Sequence, residues 1–215
     1  MPRDLVQIYV CQNPDCGLRY PVVVPSTYSE RCPVCLGKTK SVIKQSLYQD
    51  QLEDQDQTPA NPELSVLLDN IRSGLNVGSI FRSADGFGFH QVYLCGITPT
   101  PENPEVSKSA VGAMDFVKWS VHKNAVDLIE KLKKQNNKIW VMEKTKNSVP
   151  IQFEFSKLSK KQPLVLVVGN EISGVDPGIL ELADCLVYIP MHGQKRSFNV
   201  AVAFAVAAQI IQSGY

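Results

Sequence analysis

Four cysteines lie close together near the start of the chain. Four residues separate Cys11 from Cys16, two separate Cys32 from Cys35, and fifteen lie between the pairs. Four thiolates can supply the closed tetrahedral set that structural Zn²⁺ prefers. No histidine occurs in this stretch, so the predicted metal ligands are Cys11, Cys16, Cys32 and Cys35 alone. No open coordination position is implied, so the zinc is expected to be structural and not catalytic. A fragment this small can hardly fold on its apolar core, and the metal would stabilise it. Four unrelated thiols would be the plainer reading, but the paired spacing argues against it.

Three further segments combine polar side chains with turn formers. The first runs from Asn70 to Gly88 and sets Asn70, Arg72, Asn76 and Arg82 among small residues. It follows an apolar run, at the kind of strand end where open α/β sheets place their ligands. Arg82 has Ile80 and Phe81 beside it and needs either a salt-bridge partner or a charged substrate. In the second, Leu164–Val168 leads into Gly169, Asn170 and Glu171, with Gly174 marking another turn and Asp176–Pro177 reading as a helix cap. The third, Ile189 to Ala201, is a polar loop entering a very apolar segment. Ser197 or Asn199 would sit at that helix's N-terminus, where free N–H groups favour polar ligands or serve a simple cap. No nucleophile–base pair, dinucleotide fingerprint or P-loop is present.

The elements that must carry these segments follow from the apolar pattern. Strands are predicted at Leu64–Leu68, Gln91–Cys95, Lys138–Met142, Leu164–Val168 and Cys185–Ile189. Most are continuous Val/Ile/Leu runs, as expected of strands buried on both faces of a parallel sheet. Helices are predicted at Val77–Gly86, Asn124–Gln135, Pro177–Ala183 and Phe198–Gln212. Their alternation predicts an α/β layer domain. The last helix is apolar around nearly its whole circumference, so it must be buried on several sides, centrally or against a second subunit. Short strands at Tyr9–Val10 and Tyr20–Val24 would make the cysteine region zinc-ribbon-like. Cys95 and Cys185 lie in strand candidates and read as buried, inert thiols.

Charge divides the chain in the same places. Residues 1–45 carry a net +3, residues 46–61 a net −4, and the remainder a net +2, within an overall +1. The expected organisation is a zinc-ribbon-like module at 1–45, an acidic Gln/Asp-rich linker at 46–61 and an α/β domain at 62–215. Arg19, Arg31, Lys38, Lys40 and Lys44 give the module either RNA phosphate contacts or a solvated basic face. Nothing in the sequence has the length and apolarity of a membrane span, and residues 1–10 lack the apolar core of a secretory signal. A cytoplasmic location, with reduced cysteines, is the expectation.

Taken together and in this order, the three segments resemble the three motifs of the SPOUT superfamily in its SpoU/TrmH branch. The resemblance covers roughly residues 63–213. The carrying residues are Asn70, Arg72, Asn76, Gly78, Ile80, Arg82, Ala84 and Gly88, then Gly169, Asn170, Glu171 and Gly174, then Ile189, Pro190, Met191, Gly193, Ser197, Asn199 and Val200. It implies a doubly wound, mostly parallel α/β sheet whose C-terminal segment forms a deep trefoil knot. It also implies an obligate homodimer that uses S-adenosylmethionine to methylate RNA, in the leading reading at the ribose 2′-hydroxyl of tRNA or rRNA. Base methylation and an inactive RNA-binding or assembly factor are the alternatives. Arg82 would be the catalytic arginine, with Asn76, Glu171, Ser197 and Asn199 as the other catalytic polar positions. Val168, Gly169, Asn170, Ile189, Met191, Phe198 and Asn199 would hold the cofactor, and Arg72, Lys195 and Arg196 would contact RNA phosphates. Departures are small: Phe198 stands where Leu is common and Ala201 where Ser is. The cysteine module is not part of the common family core.

Overall fold

The structure, a computed structural model, describes residues 5–24, 26–46, 60–155 and 162–213. The chain divides into two compact units, Met1–Gln57 and Thr58–Tyr215. Most of the acidic stretch expected as a linker lies outside the described residues.

The first unit is a three-stranded antiparallel sheet of β1 (Leu5–Cys11), β2 (Arg19–Val24) and β3 (Thr39–Ser46), with β1 in the middle. Parts of β1 and β2 match the strands expected from the sequence, whereas β3, not expected, has Val42 and Ile43 as its only apolar residues. Cys11 ends β1 and Cys16 lies in the turn after it, while the segment before β3 carries Cys32 and Cys35. Gly17 and Leu36 adopt left-handed backbone just past the second cysteine of each pair.

The second unit contains seven strands: β4 (Asn61–Asp69), β5 (Phe89–Cys95), β6 (Lys118–His122), β7 (Lys138–Met142), β8 (Val149–Pro150), β9 (Leu164–Gly169) and β10 (Cys185–Tyr188). Their order is β6-β5-β4-β9-β7-β10-β8, and the neighbouring strands pair in parallel. Among the described residues six α-helices accompany the sheet: α1 (Gly74–Gly86), α2 (Pro104–Ala110), α3 (Ala125–Lys134), α4 (Ile151–Phe155), α5 (Pro177–Leu182) and α6 (Val200–Gln212).

Two cores explain the continuous apolar runs. Leu64, Val66 and Leu68 of β4 and Leu164, Leu166 and Val168 of β9 pack with residues of α1, α2 and α6. The alternate residues Leu67, Val165 and Val167 pack with α3 and α5. Successive side chains point to opposite faces, and both faces are covered. This is the doubly wound α/β arrangement expected. Phe204 of α6 is fully buried and meets the Phe89 ring edge-on at 5.2 Å. Gly78 lets α1 and α2 touch, because a Cβ there would lie 2.4 Å from the Val106 carbonyl oxygen of α2.

Several expectations change in detail. Residues 104–110 and 118–122 form α2 and β6, neither foreseen, and α1 starts three residues earlier than predicted. Asp176 caps α5 with Pro177 in its first turn, as the sequence indicated. Cys95 is fully buried, which pushes its thiol up to about 12, whereas Cys185 is only half-buried.

Candidate active site

The chain winds from β4 outward through β5 to β6, and later returns to place β9 and β7 on the other side of β4. Loops leaving adjacent strands there diverge and open a crevice at the carboxyl ends, the usual ligand position in such sheets. Three loops meet in it: residues after β4, after β9 and after β10.

The β4 loop is held first. Asn70 takes a left-handed backbone conformation, and its side-chain oxygen accepts the Ile97 N–H at 3.2 Å. The Thr98 hydroxyl, buried beneath, accepts the Ile71 N–H at 3.1 Å and donates to the carbonyl of Cys95 at 2.7 Å. Asp69 closes the strand end. One of its oxygens accepts the Asn70 amide at 2.7 Å and the other the Asp176 N–H at 2.9 Å. Burial raises its carboxyl above the ordinary range, the hydrogen bonds opposing in part.

The β9 loop is built around Asn170. Its backbone pairs with Gly174, its side-chain oxygen accepts the N–H groups of Ile172 and Ser173, and its amide donates to the Asn70 carbonyl at 2.6 Å. Gly174 has φ +74°, a left-handed backbone that favours glycine, and the end of the flexible Glu143 side chain lies 2.7 Å from where a Cβ would stand.

This loop presents Glu171 to the start of α1. Its oxygens accept the N–H of Arg72 at 3.0 Å, the N–H of Ser73 at 3.2 Å and the Asn76 amide at 2.8 Å. A carboxylate at a helix N-terminus satisfies orphan donors and suits the helix dipole. Burial alone would raise its pKa, but the Arg72 N–H, the Asn76 amide and further N–H groups outweigh that and hold it below the ordinary carboxylate range. Asn76 in turn accepts the Asn199 amide at 3.0 Å. Asn199 caps α6 by accepting the N–H groups of Ala201 and Val202. Glu171, Asn76 and Asn199 therefore form one clasp drawn from all three motif segments. The cap of α6 is Asn199 and not Ser197, the other candidate.

Beside the clasp lies a cleft of about 430 Å³. Every residue expected to hold a cofactor lines it: Val168, Gly169, Asn170, Ile189, Met191, Phe198 and Asn199, together with Glu171, Ser197 and Arg196. Its volume and mixed lining fit a nucleoside-sized ligand. Val200 and Ala203 add apolar wall, and Met142, Glu143, Lys144 and Tyr188 form part of the lining that the sequence reading missed.

Residues 63–209 match the SpoU rRNA methylase family. The chain belongs to that family. The SpoU domain resembles a tRNA (guanosine(18)-2′-O)-methyltransferase of Escherichia coli strain K12, at 30% identity over 145 residues, 67% of this chain and 61% of that protein. It also resembles a 23S rRNA (guanosine(2553)-2′-O)-methyltransferase of Bacillus subtilis strain 168, at 32% identity over 66% of this chain and 54% of that one. The chain thus spans about 60% of the length of these relatives, or less. The TrmH/SpoU tRNA modifying enzyme of Aquifex aeolicus has a similar structure, with TM-score 0.64, 28% identity, and coverage of 72% of this chain and 76% of that one.

Not every motif residue of the SpoU domain reaches the cleft of its own chain. Arg82 is exposed on α1, does not line the cleft and makes no ion pair among the described residues. Arg72 serves the site through its backbone N–H, with its side chain exposed, and Lys195 is exposed outside the cleft. Of the three expected RNA contacts, Arg196 alone lines it.

In the first unit the four cysteine sulfurs lie within 4.8 Å of one another. Cys11 and Cys35 are 3.4 Å apart, Cys16 and Cys32 3.8 Å. These spacings are far beyond a disulfide bond and match the ~3.8 Å between ligands of a tetrahedral zinc with ~2.3 Å Zn–S bonds. The N–H groups of Asn13 and Val34 point at Cys11 and Cys32, each at 3.5 Å, as donors that suit thiolate charge. A backbone N–H from Gly37 leads the effects that hold the Cys35 thiol down to about 7.

Proposed function

We propose that the protein is an S-adenosylmethionine-dependent RNA methyltransferase acting on a ribose 2′-hydroxyl of tRNA or rRNA. The observation that carries this is the cleft at the sheet's switch point, lined by three motif segments and locked by the Glu171–Asn76–Asn199 clasp. Its apolar walls suit an adenine ring, and the turn backbone around Val168–Asn170 and Ile189–Met191 offers polar edges to one. When bound, S-adenosylmethionine supplies an electrophilic methyl group on a sulfonium.

The remaining work falls to the chain's own residues. Asn199 and Ser197 would position the ribose or its phosphate at the cleft mouth. Glu171 keeps Asn76 and the α1 terminus fixed so that this geometry is preorganised. Arg82 would bind the hydroxyl or its neighbouring phosphate. A guanidinium is too basic to act as a free base, so the hydroxyl proton would pass to an acceptor such as the substrate phosphate. Arg72, Lys195 and Arg196 would hold further phosphates.

Arg82 is exposed and does not line this cleft, which supports a homodimer in which it serves the partner's site. The apolar, exposed Val202 and Val206 on α6 point the same way. The C-terminal segment would close the family's trefoil knot. The cysteine cluster would hold one structural zinc. No helix among the described residues is long and apolar enough to cross a membrane, in keeping with cytoplasmic work on RNA.

Incubation with tritium-labelled S-adenosylmethionine and unmodified tRNA or rRNA pools should place label on ribose. Label on a base would shift the reading to base methylation, and no label in any RNA would refute the enzyme. Arg82→Ala should lower transfer by at least about a thousandfold while leaving cofactor binding intact.

A further inference from the structure

Glu143 ends the β7 side of the cleft, and nothing in the three motifs accounts for it. We infer that its carboxylate accepts the 2′,3′-diol of the methyl donor's own ribose, and so selects a ribonucleoside cofactor. This rests on the methyl-donor reading above. The cleft lining contains two carboxylates. Glu171 is consumed by the α1 terminus and Asn76. Glu143 is anchored through Oε2, which accepts the Val175 N–H at 3.3 Å, and Gly174 leaves room for it there.

An anchored carboxylate lining a nucleoside-sized cleft has a specific use. Two acceptor oxygens on one carbon match two adjacent hydroxyls, and acidic side chains at strand ends of α/β sheets bind nucleotide ribose in this way. Apart from the adenine amine, which sits on the ring that the apolar walls would take, the other donor that a methyl donor could offer is its ammonium. That would bring a second cation into a cleft that Lys144 already lines, its Nζ lying 5.4 Å from the centre of the Tyr188 ring. A neutral diol fills the carboxylate without that repulsion.

The test is calorimetric binding to the full chain, with S-adenosylhomocysteine, its 2′-deoxy analogue and 5′-methylthioadenosine, which keeps the diol but lacks the ammonium. For the wild type, loss of one hydroxyl should weaken binding about tenfold. Glu143→Ala should weaken both S-adenosylhomocysteine and 5′-methylthioadenosine about 30-fold and shrink the deoxy penalty to less than about twofold. Glu143→Gln keeps an oxygen for Val175 and should still lose most of the diol preference, which covers the case of an Ala variant that folds poorly. An unchanged deoxy penalty in both variants would overturn the inference and leave Glu143 as a prop for the Val175 turn. Weakened S-adenosylhomocysteine with unaffected 5′-methylthioadenosine would overturn it in favour of the ammonium. A wild type that binds none of the three would overturn the methyl-donor reading itself.

Discussion

Glu171 shows how one carboxylate can serve structure and site at once. Its pKa is depressed in the folded chain, so the stability it contributes is present above the ordinary glutamate value and is lost as pH falls through the lowered one. Wild type should therefore melt above Glu171→Gln by a constant margin from pH 7 to about 5, and the margin should close below about pH 4. A margin independent of pH would refute the charged clasp. The sequence made Glu171, Asn76 and Asn199 visible because motif spacing marked all three. Glu143 carried no such mark: it is one acidic residue after a strand, and only the fold brings it opposite Gly174. Arg82 shows the reverse case, a residue conspicuous in the sequence that the fold leaves exposed on α1 and outside the cleft lining.

Among the elements, α6 decides most. Ala201, Phe204, Ala207, Ala208 and Ile211 are buried, while Val202 and Val206 are exposed on another side. The sequence required burial on several sides, and one chain supplies it on only one. If a second copy covers the rest, Val202→Asp places a charge in that interface. An uncompensated buried charge costs roughly 3–5 kcal/mol, so sedimentation should change from dimer to monomer with little change in α6 content. A wild type that sediments as a monomer would refute this. Long apolar runs made β4, β7 and β9 legible. β6 was missed because it is a half-exposed edge strand with alternating character, and α2 because seven residues opened by a proline give little periodicity. Neither lines the cleft, so the missed elements cost the functional reading little.

At the scale of the whole molecule, strand order lay beyond the sequence. Alternating elements imply a doubly wound sheet, but the placement of β9 beside β4 depends on packing over some hundred residues. The four-cysteine site was legible because metal geometry is reflected directly in spacing. Its removal gives a whole-chain prediction. Metal analysis should find about one zinc per chain, and metal binding on the order of 10 kcal/mol is available to fold a unit this small. A strong chelator should abolish hydrogen-exchange protection in β1, β2 and β3 and leave β4 and β9 protected. Persistent protection in the metal-free first unit would count against the site.

The clasp has a consequence for how the protein is made. Glu171 reaches back 98 residues to Ser73, and Asn199 reaches back 123 to Asn76. During synthesis the chain emerges N-terminal end first, so α1 leaves the ribosome long before the side chains that fasten its start. No nascent chain that ends before Asn199 can hold the site together. A chain that stops before Asn199 therefore lacks the assembled clasp, however well its earlier elements fold.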